Sequence, residues 1–185
     1  MSSSDKIAQA VNKLEKPLVL VGIMGCGKTH VGRMLAKELD LLFIDSDREI
    51  EKDQGKAISD IFDLDGEESF RDLETQKIVD IMEQGACVIS TGGGAFANES
   101  SRKAILDTSI SIWLDSDIET LFERVSKNDK RPLLKTNNPK GTLAELLEAR
   151  KPFYEQAHIQ VRSDQKDIEI VEDIKNSLYA YLNSD

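Results

Sequence analysis

The chain has 185 residues, 39% of them hydrophobic, which suits one domain with a sizeable core. Its 34 acidic and 24 basic residues leave a formal charge of −10, so no broad basic surface is offered to nucleic acid or an anionic membrane. The two cysteines, Cys26 and Cys87, lie in a glycine-rich loop and an apolar run, positions that suggest neither a disulfide nor a metal site, and a reduced, cytoplasmic setting is expected.

No signal-peptide pattern, internal repeat or low-complexity segment is visible, and the longest apolar run is far short of a membrane span. The helical spacing of Ile7, Ala10, Val11 and Leu14 predicts a short helix over Asp5 to Leu14. A buried strand is predicted over Leu18 to Val21, just after Pro17. It runs into Gly22-Ile23-Met24-Gly25-Cys26-Gly27-Lys28-Thr29, which fits the phosphate-cradling pattern G-x-x-x-x-G-K-[ST]. Glycines let successive N–H groups point inward at a phosphate, and the following helix, Lys28 to Leu39, adds its unsatisfied N–H groups. Lys28 can reach the β- and γ-phosphates, and Thr29 can offer a hydroxyl to Mg²⁺, a hard ion that prefers oxygen.

A second strand, Leu41 to Ile44, ends in Asp45-Ser46-Asp47. Two carboxylates just past a strand end face the ligand side of an open α/β sheet. Ser46 or Asp47 can equally cap a helix through Ile50, and the two roles are compatible. Ile58 to Leu64 is a short helical patch, and Gly66-Glu67-Glu68 opens a longer helix with Phe70, Leu73, Ile78, Ile81 and Met82 inward. Arg71 stands near the start of that helix, poorly placed against its dipole; it either serves something beyond the helix or is a solvated surface arginine. A third strand, Ala86 to Ile89, leads to Ser90-Thr91-Gly92-Gly93-Gly94, where three glycines offer bare backbone to a ligand or form a flexible turn.

Glu99 to Leu106 reads as helix, Ile110 to Leu114 as a fourth strand bearing Trp113, and Asp117 to Val125 as helix. Residues 127–141 are polar, basic and rich in turn formers, within an otherwise acidic chain. A loop of this kind reads as a lid closing over phosphates, with Arg131 the candidate to reach a transferring phosphoryl group. A helix over Leu143 to Ala157, kinked at Pro152, carries Arg150 on the same face as Leu146, Leu147 and Tyr154. An arginine on that face needs an anionic partner, either a structural carboxylate or a substrate carboxylate held bidentately. A fifth strand, Ile159 to Val161, and a closing helix, Ile168 to Tyr181, complete the pattern; His30 and His158 show no obvious chemical partner, and His158 reads as structural. Alternating strands and helices predict a three-layer α/β/α sandwich on a five-stranded parallel sheet, a single domain over residues 1–185.

Several stretches together resemble shikimate kinase, a family of the nucleoside-monophosphate-kinase-like P-loop group. They are Phe43 to Asp47 with Ile50-Glu51, Ile61-Phe62 with Gly66-Glu67 and Phe70-Arg71, Thr91 to Gly94, Arg131 to Leu134, and Arg150 with Pro152 and Tyr154. The resemblance covers Leu18 to Leu182 and implies strand order 2-3-1-4-5, a substrate-binding region over about residues 45–75 and a lid over about 127–141. It implies phosphorylation of the shikimate 3-hydroxyl by ATP with Mg²⁺, on the route to chorismate and aromatic amino acids. Residue by residue, Asp47 resembles the carboxylate that binds the shikimate hydroxyls, orienting the attacking one or accepting its proton. Thr29 and Asp45 resemble the Mg²⁺ positions, Lys28 and Arg131 the charges on the transferring group, and Arg71 and Arg150 the pair gripping the shikimate carboxylate. Gly92, Gly93 and Gly94 lie along the substrate, while Gly25, Cys26, Gly27, His30 and Arg124 lie along the nucleotide. His30 departs from the family's usual Ser or Thr, so its side-chain contact with the α-phosphate is in question. The expected partners are ATP and shikimate, without nucleic acid or membrane, for a chain acting as a monomer. A gluconate kinase is the nearest alternative, and a non-catalytic nucleotide-binding module the alternative from another class.

Overall fold

The computed structural model describes residues 14–127 and 136–184. Their order is β1 (Leu18–Val21), α1 (Lys28–Glu38), β2 (Leu42–Asp45), α2 (Ser46–Gln54), α3 (Ile58–Met82), β3 (Cys87–Ser90), α4 (Glu99–Thr108), β4 (Ile110–Asp115), α5 (Ile118–Ser126), α6 (Pro139–Tyr154), β5 (Ile159–Arg162) and α7 (Asp167–Leu182). The strands form one parallel sheet, as the strand–helix alternation predicts, in the order β2-β3-β1-β4-β5 that the resemblance implies. β1, β3 and all but the last residue of β4 are buried, which is why they read as near-continuous apolar runs.

Helices cover the sheet in the three-layer arrangement. α1 packs on β2, β3 and α7, while α4 packs on β4 and α3. The main core runs through Val19, Leu35, Val88, Ile112, Trp113 and Ile174. A second, smaller cluster of Ile50, Ile61 and Phe70, backed by Ile58, Phe62 and Leu73, holds α2 against α3 independently of the sheet. Burying each of these large side chains contributes roughly 1.5–3 kcal/mol, enough to fix this annex beside the carboxyl edge.

Several local expectations shift. The helix after β2 is capped by Asp45, not by Ser46 or Asp47: its carboxylate accepts the Arg48 N–H at 3.4 Å, leaving Asp47 in the first turn. The two helical stretches expected on either side of Gly66 do meet there at a break, with φ 83° and ψ 168°, which a side-chain-bearing residue rarely adopts. Pro152 lies in the last turn of α6, which ends two residues later at Tyr154 rather than reaching Ala157. Of the expected lid, residues 128–135, including Arg131, lie outside the described residues, and Pro139 to Gly141 form the first turn of α6, capped by Asn138. Residues 5–13 of the expected N-terminal helix also lie outside. No described helix is long and apolar enough to cross a membrane.

Candidate active site

The phosphate loop turns sharply from β1 into α1. Gly27 caps the helix with φ 96°, a left-handed conformation suited to glycine. Lys28 is buried and folds back over the loop: its Nζ donates to Gly22 O at 2.6 Å and Ile23 O at 3.0 Å, with Cys26 Sγ at 3.6 Å. Gly25, Gly27, Lys28, Thr29, His30 and Arg124 line one side of a cavity of about 390 Å³, and Asp47, Thr91, Gly92 and Gly93 the other. Cys26 does not line it; its N–H turns into the loop, donating to Ile23 O at 3.3 Å. The His30 side chain is likewise committed elsewhere, with Nε2 2.9 Å from Asp167 Oδ2 at the start of α7.

Sheet register explains the oxygen cluster next to this cavity. Asp45 and Ser90 are direct neighbours across β2 and β3. The Thr29 hydroxyl donates to Asp45 Oδ2 at 3.0 Å and lies 3.3 Å from Ser90 Oγ. These ligand types fit Mg²⁺, which takes oxygen donors and relies on only one or two protein groups. A cage of three or more His, Cys, Asp or Glu side chains, which other metals favour, is absent among the described residues.

The three glycines after β3 have different reasons to lack a side chain. A Cβ on Gly92 would sit 2.7 Å from Glu74 Oε1 and 2.9 Å from Asp47 Oδ1. One on Gly94 would sit 2.5 Å from the Arg71 guanidinium. One on Gly93 would sit 3.2 Å from Met24 N of the phosphate loop. The Gly93 carbonyl accepts from Arg150 Nη1 at 2.9 Å and Tyr154 Oη at 2.6 Å. Beyond the glycines, a cavity of about 470 Å³ brings Arg71 and Arg150 together with Gly94, Ala97 and Asn98.

Asp47 is half-buried, but its Oδ1 is fully buried and has no hydrogen-bond partner among the described residues. Burial first, then the Glu74 and Asp45 charges, push its carboxyl up to about 7. Glu74, itself buried and raised by burial, is held by Arg71 Nη1 at 2.6 Å. Arg71 also reaches Glu67 at 3.3 Å and lies over the Phe70 and Phe62 rings at 5.3 and 5.8 Å.

A shikimate kinase family model matches residues 24–179. The shikimate kinase of Rhizobium leguminosarum bv. trifolii is 49% identical over 156 residues, covering 84% of this chain and 80% of that one. The chain belongs to the shikimate kinase family, and it is a small-molecule kinase. Among solved structures of the family, the shikimate kinase from Acinetobacter baumannii in complex with shikimate aligns with TM-score 0.88 at 34% identity, covering 96% of this chain and 99% of that one. A gluconokinase from Sinorhizobium meliloti aligns with TM-score 0.56 at 19% identity, over 90% and 93% of the two chains, a likeness of fold alone.

Within this family frame, the structure adds residues that sequence reasoning passed over. Glu74 reads locally as one more acid on a helix, yet only 1% of it is exposed and it bridges Arg71 to Asp47's surroundings. Arg150 finds no carboxylate ion pair among the described residues; its partner is the Gly93 carbonyl. His30 does have a partner, Asp167, which its spacing of 137 residues hides from any local pattern. His158 is structural as expected: its Nδ1 lies 3.1 Å from the Ser111 N–H and 2.9 Å from the Ser111 hydroxyl, which in turn accepts the His158 N–H at 3.0 Å.

Proposed function

We propose that the chain transfers the γ-phosphoryl group of ATP to the 3-hydroxyl of shikimate, with the donor on the phosphate loop and the acceptor between Asp47 and the Arg71–Arg150 pair. The observation that carries this reading is the position of Asp47: it lines one cavity with Lys28, its buried Oδ1 has no hydrogen-bond partner among the described residues, and the missing Gly92 side chain leaves the space between that oxygen and Glu74 open. Asp47 accepts a hydrogen bond from the attacking hydroxyl and takes its proton as the new O–P bond forms. The bond from the γ-phosphorus to the bridging oxygen breaks in line, and ADP leaves with that oxygen. Lys28 exchanges the Gly22 and Ile23 carbonyls for phosphate oxygens, a local swing that needs no change of fold. Thr29 and Asp45 would hold Mg²⁺, which when bound neutralises charge on the β- and γ-phosphates. Arg71 and Arg150 grip the shikimate carboxylate, and Arg131 is assigned to the transferring group by the family resemblance. Most of the rate comes from positioning and charge neutralisation.

The domain organisation follows the same reading: one domain, with the acceptor annex over about residues 45–75 and a lid over about 127–141. A cytoplasmic monomer is the proposed working form. A coupled ADP-release assay over a panel of hydroxy acids tests the acceptor. Turnover on shikimate and none on gluconate is expected; turnover on gluconate alone overturns the reading.

A further inference from the structure

The Gly93 carbonyl is the point where both halves of the site meet. Its residue lies against the phosphate-loop backbone, with its Cβ direction 3.2 Å from Met24 N and 3.7 Å from Ile23 C. A carbonyl oxygen offers two lone pairs, and here both are taken, by Arg150 at 2.9 Å and by Tyr154 at 2.6 Å. The two donors differ in what else they can do. Arg150 is a half-buried cation on the acceptor cavity with further N–H groups to give, and it forms no ion pair among the described residues. Tyr154 is fully buried and stacks on Trp113 of β4 at 5.9 Å and 27°, so its hydroxyl has a fixed direction. Burial also raises its phenol above the ordinary value, so the hydroxyl stays a donor.

We propose that Tyr154 is a positioning residue for the acceptor: by holding the Gly93 carbonyl it frees the Arg150 guanidinium to turn onto the acceptor carboxylate while the glycine loop keeps its place against the phosphate loop. Without the tyrosine hydroxyl, that carbonyl depends on Arg150 alone. An acceptor carboxylate must then compete with the protein's own backbone for the same guanidinium. The inference rests on the shikimate reading above.

The test is Tyr154→Phe in the full chain, which keeps the ring stacked on Trp113. With wild type and variant side by side in the ADP-release assay, the shikimate KM rises roughly tenfold while the ATP KM stays within about twofold. In an Arg150→Met background the same change shifts the shikimate KM less than about twofold, because the competition it creates is gone. Two KM values rising in step, a full effect persisting without Arg150, or no effect in either background overturns the inference and marks Tyr154 as structural only. Wild-type protein that releases no ADP with shikimate overturns the acceptor reading and this inference with it; an active wild type beside an unaffected variant overturns the inference alone.

Discussion

The donor and acceptor halves of the site handle charge in opposite ways. On the donor side, Lys28 is satisfied by its own loop, through carbonyls only five and six residues away. The phosphate loop therefore stores its cation on backbone that is already folded, and nucleotide has to displace those contacts. On the acceptor side the partners come from far along the chain: Arg150 and Tyr154 reach Gly93 across 57 and 61 residues. That half leaves the buried Oδ1 of Asp47 without a partner among the described residues, and raises the carboxyl to about 7. A self-contained donor loop can serve many kinases, whereas the assembled acceptor half is specific to what it binds.

Breaking the donor half produces the largest effect. Lys28→Met is expected to lower kcat/KM for ATP by roughly a thousandfold or more, since the charge proposed to act on the transferring group is lost. Shikimate binding, followed by the fluorescence of Trp113, stays within about twofold, because Lys28 makes its contacts within the phosphate loop and the carboxylate grip is assigned to Arg71 and Arg150 in a separate cavity. A parallel loss of shikimate affinity would show that the halves are not separable. Gly92→Ala strikes the acceptor half next. Its new methyl would meet the Glu74 carboxylate at 2.7 Å and the Asp47 carboxylate at 2.9 Å, so one or both of these side chains must shift. Turnover falls roughly 10- to 100-fold while ADP affinity, read by calorimetry, is retained; a fall confined to nucleotide affinity would assign Gly92 to the donor half.

The smallest effect is a pH dependence that belongs to the acceptor side. With the Asp47 carboxyl at about 7, kcat/KM for shikimate climbs with pH up to neutrality and then levels. Stability runs the other way. A carboxyl raised in the folded protein binds its proton more tightly there than in the unfolded chain, so its stabilising contribution is complete in acid and is lost as pH rises through about 7. Asp47→Asn therefore gains stability over wild type as pH rises from about 4 to about 7, by about 4 kcal/mol at pH 8 in the nucleotide-free protein. Urea denaturation at pH 5 and pH 8 checks the sign; a variant less stable at pH 8 would mean that Asp47 has a partner after all.

The same contrast explains what was legible in the sequence. The donor half is local, so a glycine pattern between a strand and a helix located it, down to Lys28 and Thr29. The strand–helix alternation was also legible, because β1, β3 and β4 are buried on both faces and read as apolar runs, whereas the strand order came only with the family resemblance. The cap of α2 was misplaced by one or two residues because Asp45 and Asp47 are the same chemical type, and only backbone geometry tells a cap from a first-turn acid. Glu74 was missed because a glutamate in a helix carries no mark of burial. The Tyr154 hydroxyl and the His30–Asp167 contact were missed because each depends on a partner brought close only by tertiary folding. Arg71 shows the middle case: its poor fit to the helix dipole was visible, whereas its partners Glu67 and Glu74 were not singled out.

In the proposed mechanism the carboxylate of Asp47 faces the acceptor hydroxyl and has no part in holding the nucleotide. Asp47→Asn keeps the shape and removes the charge, so one protein tests both parts. Shikimate-dependent ADP release should fall by roughly a hundredfold or more, with ADP affinity within about twofold of wild type. Near-normal turnover, or a loss of ADP affinity that matches the loss of turnover, would contradict the account.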